Sequence, residues 1–161
     1  MLHQFQLEPI GLIETPFREP SGTPIQPSRA DGPRGRVHID PRFHAGLKDL
    51  EGFERIWLIY WLHRATGPSL LVTPFLDVLE RGIFATRAPA RPCPLGMSAV
   101  RLLKVGKSGV LEVADVDILD GTPLLDIKPY VPEFDSYPHS KAGWFDASTS
   151  RRRVADERFE R

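Results

Sequence analysis

Apolar and polar residues alternate with a period of two in several short stretches, most of them ended by proline or glycine. Arg36-Val37-His38-Ile39 alternates and predicts a strand. Ala99-Val100-Arg101-Leu102-Leu103-Lys104-Val105 and Val110-Leu111-Glu112-Val113 flank Gly106-Lys107-Ser108-Gly109, the pattern of a hairpin. Glu8 to Thr15 predicts a strand that carries Gly11 and stops at Pro16, and Leu70 to Phe75 predicts another, closed by Pro74. Leu47, Leu50, Phe53 and Ile56 have helical spacing, but Ile56 to Leu62 is continuously apolar, aromatic and partly β-branched, which favours a buried strand. The two readings divide at Gly52. Before them, Asp40-Pro41 fits an N-cap followed by proline at the first helical position, opening a short turn that ends near Gly46.

Beyond Val110 the alternation continues through Ala114 to Pro123, with Asp115 and Asp117 on one face and Val116 and Ile118 on the other. Two carboxylates on one face suit a solvated sheet surface; they also suit ribose hydroxyls or a cationic ligand, since ionised carboxylates only accept hydrogen bonds. Asp120-Gly121-Thr122-Pro123 reads as a turn, and Leu124 to Tyr130 as a short extended piece leading away. The following stretch, with Pro132, Pro138, Trp144 and Phe145, has little periodicity and is expected to wrap the strands. Residues 151–161 carry five arginines against three acids and read as a frayed tail, or alternatively as a segment touching RNA. Many short strands separated by turns predict a mainly β fold, a small antiparallel β-barrel with short helical turns and long proline-rich loops. Residues 1–150 form the barrel domain in this reading and 151–161 a charged C-terminal tail. The alternating strands and amphipathic helices of a doubly wound enzyme are missing, as is any glycine-rich phosphate loop.

One stretch, Arg81 to Ser98, organises the chemistry. Ile83 to Ala85 is a short apolar run that reads as a strand entering a loop, and an alternating strand leaves it near Met97. Prolines at 89, 92 and 94 fix their own φ and restrict the residues before them, so the loop has little freedom to lose on binding. Arg87 and Arg91 place two planar cations inside this frame, suited to a carboxylate, a phosphate or a nucleobase, or simply solvated on a surface turn. The earlier loop from Pro16 to Gly35 has too many breakers for a helix, and Ser28, Arg29, Arg34 and Arg36 give it donors. It is either functional or a mobile surface loop. His63 and Arg64 stand just past the aromatic strand, where His63 is either a packed end residue or a ligand-binding group.

Composition narrows the classes. At 161 residues, 41% apolar and 26% charged, the chain is one globular domain. No apolar run approaches the roughly 20 residues that span a bilayer, and the first residues lack the pattern of a signal peptide, so a cytoplasmic protein is expected. One cysteine, Cys93, excludes an intramolecular disulfide, and no zinc-ligand spacing occurs, so no metal is expected. Basic and acidic residues balance at 21 each, so a nucleic-acid partner would be held by a local patch.

Three stretches taken together carry a resemblance: Gly82-Ile83-Phe84-Ala85-Thr86-Arg87 with Arg91-Pro92-Cys93-Pro94-Leu95-Gly96-Met97-Ser98; Asp117 to Pro123 with Leu125-Asp126-Ile127-Lys128-Pro129-Tyr130; and Pro24-Ile25-Gln26-Pro27. The chain resembles the TsaA/TrmO family, also called YaeB-like or VirR-like, over roughly residues 8–146. The resemblance implies a small, commonly homodimeric β-barrel that binds S-adenosylmethionine. It also implies methyl transfer to N6 of a threonylcarbamoyl-modified adenine at tRNA position 37, the alternatives being a non-catalytic cofactor-binding module or a methyltransferase for a small molecule or protein. Carried over, cofactor contacts fall on Pro27, Ser28 and Arg29, on His63 and Arg64, on Arg87, on Met97, and on Ala114, Asp115, Val116 and Asp117. Where the family loop usually reads Arg-Pro-Asn-Pro, this chain has Cys93.

Overall fold

The computed structural model describes residues 6–29, 32–148 and 153–159. Six antiparallel strands close into a barrel in the order β1-β2-β7-β6-β3-β8. These are β1 (Gly11–Glu14), β2 (Arg34–Ile39), β3 (Arg55–Trp61), β6 (Leu95–Val105), β7 (Val110–Ala114) and β8 (Thr122–Pro129). A separate two-stranded ladder joins β4 (Leu71–Val72) to β5 (Arg81–Gly82). The only α-helix among the described residues, α1 (Pro132–Asp135), is a single turn. Short 3-10 turns make up the remaining helical structure.

Alternation along the strands decides what faces inward. Ile13, Val37, Ile56, Leu58, Val100, Leu111, Val113 and Leu124 are completely buried and meet in the barrel interior. The long apolar strand is therefore two-faced: Ile56, Leu58 and Tyr60 point inward, while Trp57 covers the outside against Tyr130, with ring centroids 5.6 Å apart. Two glycines permit close approach. A Cβ on Gly11 would lie 2.2 Å from the His38 carbonyl oxygen across the β1–β2 pair, and one on Gly96 would lie 2.2 Å from the Tyr60 ring. The 106–109 hairpin and the Asp40-capped turn occur where the pattern places them; Asp40 accepts from the Arg42 amide at 2.9 Å.

Several expectations change. Ile83–Ala85 is a 3-10 turn rather than a strand: Ile83 is buried with Val72 and Ala88 while Phe84 is exposed, and the Thr86 hydroxyl donates to the Ile83 carbonyl at 3.0 Å. The strand expected over Leu70 to Phe75 shrinks to the two residues of β4. The piece expected to lead away after Leu124 instead lies within β8, which pairs with both β1 and β3 and closes the barrel. Asp115 has φ 63°, a left-handed conformation that aspartate tolerates, so β7 ends at Ala114 and the predicted common face of Asp115 and Asp117 does not form. The charged C-terminal segment is not frayed over 153–159, where Val154 forms an antiparallel bridge to Pro24.

Candidate functional site

A cavity of about 300 Å³ opens at one end of the barrel. The ends of β3 and β6, the link between β7 and β8, the 20–26 loop and the 86–95 loop surround it. Of the residues expected at a cofactor site, His63, Arg64, Arg87, Met97 and Asp117 line this one cavity. Others do not. Pro27 and Ser28 start a 3-10 turn just past Gln26, outside the lining; the Arg29 side chain lies outside the described set. Ala114 and Val116 are buried in the barrel wall and are not among the residues that line the cavity. Asp115 turns outward to Arg55 (Nη2 to Oδ2, 3.0 Å) and Arg101 (Nε to Oδ2, 3.4 Å).

The two loop arginines have different work. Arg91 Nη1 donates to the carbonyls of Thr86 at 2.8 Å, Ile83 at 3.2 Å and Ala88 at 3.4 Å, so its guanidinium ties the proline-rich loop to itself. Arg87 donates instead to the Gln26 amide oxygen at 2.6 Å and links that loop to the 20–26 loop at the cavity edge. Arg64 makes a second crossing, donating to the Arg18 carbonyl and, at 2.9 Å, to the Glu19 carboxylate. Three loops of unrelated sequence are thus held together by guanidinium groups.

A polar chain runs from the core into the cavity. Ser98 faces inward in β6 and donates to Asp117 Oδ1 at 2.5 Å. The single Ser98 proton is committed there, so the Tyr60 phenol, 3.0 Å away, donates to Ser98. Burial pushes the Asp117 carboxyl up to about 7, against the Ser98 hydrogen bond and the field of Arg87, which both hold it down. The Tyr60 phenol is pushed up as well, first by burial and then by the Asp117 carboxylate. Asp117 thus lines the cavity as a carboxyl whose charged form burial disfavours.

His63 meets the same space from the other side. Thr122 gives its hydroxyl proton to the Leu119 carbonyl at 2.7 Å, so in its 3.4 Å contact with His63 Nδ1 the imidazole donates. This contact selects the tautomer with its lone pair on Nε2. Desolvation, followed by the neighbouring Arg64 charge, holds the His63 pKa below the ordinary histidine value and keeps the ring neutral at pH 7. Tyr60, Ser98 and Thr122 carried no role in the sequence reading. One signal was present: Ser98 falls in the same inward phase as Val100, a polar residue at an apolar position.

Among the described residues, no group of three or more His, Cys, Asp or Glu could hold a metal ion, and no helix is long and apolar enough to cross a membrane. Residues 12–136 match the tRNA-methyltransferase O N-terminal domain. A Pyrococcus abyssi protein described as a "probable S-adenosyl-L-methionine-binding protein" is 52% identical over 153 residues, covering 94% of this chain and 83% of the relative. The tRNA (adenine(37)-N6)-methyltransferase of Escherichia coli is 32% identical over 152 residues, which are 89% of this chain and 65% of that enzyme. The crystal structure of TrmO from Pseudomonas aeruginosa superposes with a TM-score of 0.78 at 38% identity, covering 93% of this chain and 67% of that one. The barrel, the order of its motifs along the chain and these likenesses together establish that the chain belongs to the tRNA-methyltransferase O N-terminal domain family.

Proposed function

We propose that this chain is an S-adenosylmethionine-dependent methyltransferase that holds its cofactor in the barrel-end cavity and methylates N6 of the threonylcarbamoyl-modified adenine at position 37 of tRNA. The observation that carries the reading is the meeting of His63, Arg64, Arg87, Met97 and Asp117 around one cavity in a chain of this family. Archaeal relatives named only for binding S-adenosylmethionine, such as the Archaeoglobus fulgidus protein that is 37% identical over 129 residues, support the cofactor independently of the acceptor. They also keep the non-catalytic binding module as the second reading.

The residues present fit the cofactor. Leu62, Leu95, Met97 and Ile118 give apolar walls for an adenine ring, and Asp117 gives an acceptor for hydroxyl or ammonium donors. Arg87 supplies a cation at the cavity edge, suited to a carboxylate. Gly96, lying opposite Tyr60 in the β3–β6 pair, leaves the tyrosine ring room to sit against the strand. S-adenosylmethionine, when bound, supplies an electrophilic methyl group on a positively charged sulfur. That charge disappears during transfer, so a carboxylate pressed against it would hold the ground state more than the transition state. Asp117 is therefore a binding residue. Neutral His63, with its lone pair on Nε2, accepts the N6 proton as the bond from nitrogen to methyl forms. Arg64 and Arg87 at the rim offer local contacts to RNA phosphates on a chain whose net charge is zero.

The acceptor places the protein in the cytoplasm with the tRNA pool. Exposed Leu70, Leu71, Val78, Leu79 and Phe84, all on or beside the β4–β5 hairpin, support a homodimer. Light scattering at twice the monomer mass checks this, and a monomer at micromolar concentration contradicts it. Calorimetry with S-adenosylmethionine tests the pocket: wild type is expected to bind, and Arg87→Ala to bind at least about tenfold more weakly, the loss of one charge-assisted contact. Equal affinity would place the site elsewhere.

A further inference from the structure

We infer that residues 153–159 form one wall of the ligand cavity, so that docking of this segment and binding of S-adenosylmethionine strengthen one another. The inference rests on the reading of the cavity as the cofactor site. The segment lies beyond residues 12–136, the part matched by the family model. Ala155 and Asp156 line the cavity together with Pro24 and Ile25 of one loop and Phe75 of another.

Two anchors hold it there. Along the first, Ala155 donates to the Thr23 carbonyl at 2.8 Å, Gly22 donates to the Ala155 carbonyl at 3.1 Å, and Ile25 donates to the Arg153 carbonyl at 2.9 Å. At the second, Arg158 Nη1 donates to the carbonyls of Pro74 at 2.6 Å and Asp77 at 3.3 Å, with its guanidinium 6.0 Å from the Phe75 ring centroid. Asp156 braces the segment internally, accepting from the Arg158 amide and from Arg158 Nε at 3.1 Å each. The segment thus bridges the 20–26 and 74–77 loops. A short segment held by a few hydrogen bonds loses most of their net gain to its own ordering entropy. A ligand touching both the segment and the facing wall adds contacts only when the segment is docked, and therefore shifts that equilibrium. The coupling is reciprocal.

Calorimetry of the full chain with S-adenosylmethionine, comparing wild type with Arg158→Ala and with Ala155→Pro, tests this. The first substitution removes the side-chain anchor. The second removes the amide that donates to Thr23 and changes no charge, which separates anchorage from electrostatics. Both variants are expected to bind about tenfold or more weakly, with far-UV spectra and unliganded melting temperatures like those of wild type. Tryptic cleavage after Arg153 and Arg158 in wild type is expected to slow severalfold when the cofactor is added. Wild-type affinity in both variants, or cleavage indifferent to the cofactor, would overturn the inference while leaving the cavity reading intact. Absence of binding by wild type would overturn the cavity reading itself and the inference with it.

Discussion

Asp117 sits where fold and function pull against each other. Its carboxyl is raised from 3.8 to about 7 chiefly by burial, so between those values the folded protein holds a proton that the unfolded chain has released. Stability contributed by this group is therefore present below about pH 4 and falls as pH rises towards 7. Asp117→Asn removes that dependence. Thermal melts of the unliganded protein are expected to show the variant more stable than wild type at pH 8 and nearly equal at pH 4, while its affinity for S-adenosylmethionine drops. Equal melting temperatures at pH 8 would mean that the carboxylate carries no burial penalty. His63 moves the other way. Its pKa is depressed by desolvation and by Arg64, so the acid limb of the rate profile is expected to lie below the ordinary histidine value near 6.5. His63→Ala should lower kcat by about 10²-fold or more with little change in cofactor affinity, the usual scale for a lost general base. An unchanged kcat would remove His63 from the chemistry.

At the scale of elements, Asp115 decides how the wall of the site is cut. The run Ala114-Asp115-Val116-Asp117-Ile118 alternates without fault, so its sequence alone predicts two carboxylates on one face. The left-handed backbone at Asp115 breaks the phase, sending Asp115 out to Arg55 and Arg101 and Asp117 inward to Ser98. Asp115→Ala keeps the strained backbone and loses both ion pairs, and should cost about 1–3 kcal/mol in urea unfolding. Asp115→Gly relieves the backbone and should recover part of that loss; an Ala variant as stable as the Gly variant would contradict the account. The same limit explains other differences. Ile83, Phe84 and Ala85 are too few to distinguish a strand from a 3-10 turn, and the Arg91 contacts that fix the turn come from eight residues away or fewer but through a loop without periodicity. β8 begins beside Pro123 and ends at Pro129, a composition that hides a strand, and its role in closing the barrel lies in pairing with β1 and β3, far away in the chain. The hairpin at 106–109 and the Asp40 cap were legible because every determinant is local.

For the molecule as a whole, a closed barrel supplies a rigid frame and gathers at one end the loops that carry the chemistry. Mainly β architecture followed from the spacing of short strands, and the family followed from three motifs, each weak alone. The meeting of Arg87 with Gln26, or of Ala155 with the 20–26 loop, had no counterpart in local pattern, since each joins residues more than fifty positions apart. Cofactor, acceptor and fold are joined in one claim: this barrel methylates a modified adenine of tRNA. It is tested most directly by incubating the pure protein with S-adenosylmethionine and bulk tRNA from cells lacking it, then identifying nucleosides by mass spectrometry. Methylated threonylcarbamoyl-adenosine, formed by wild type and strongly reduced with Arg87→Ala, is the predicted result. Unmodified nucleosides from a preparation that binds S-adenosylmethionine in calorimetry would contradict the tRNA acceptor and leave a cofactor-binding barrel whose methyl goes elsewhere or is not transferred.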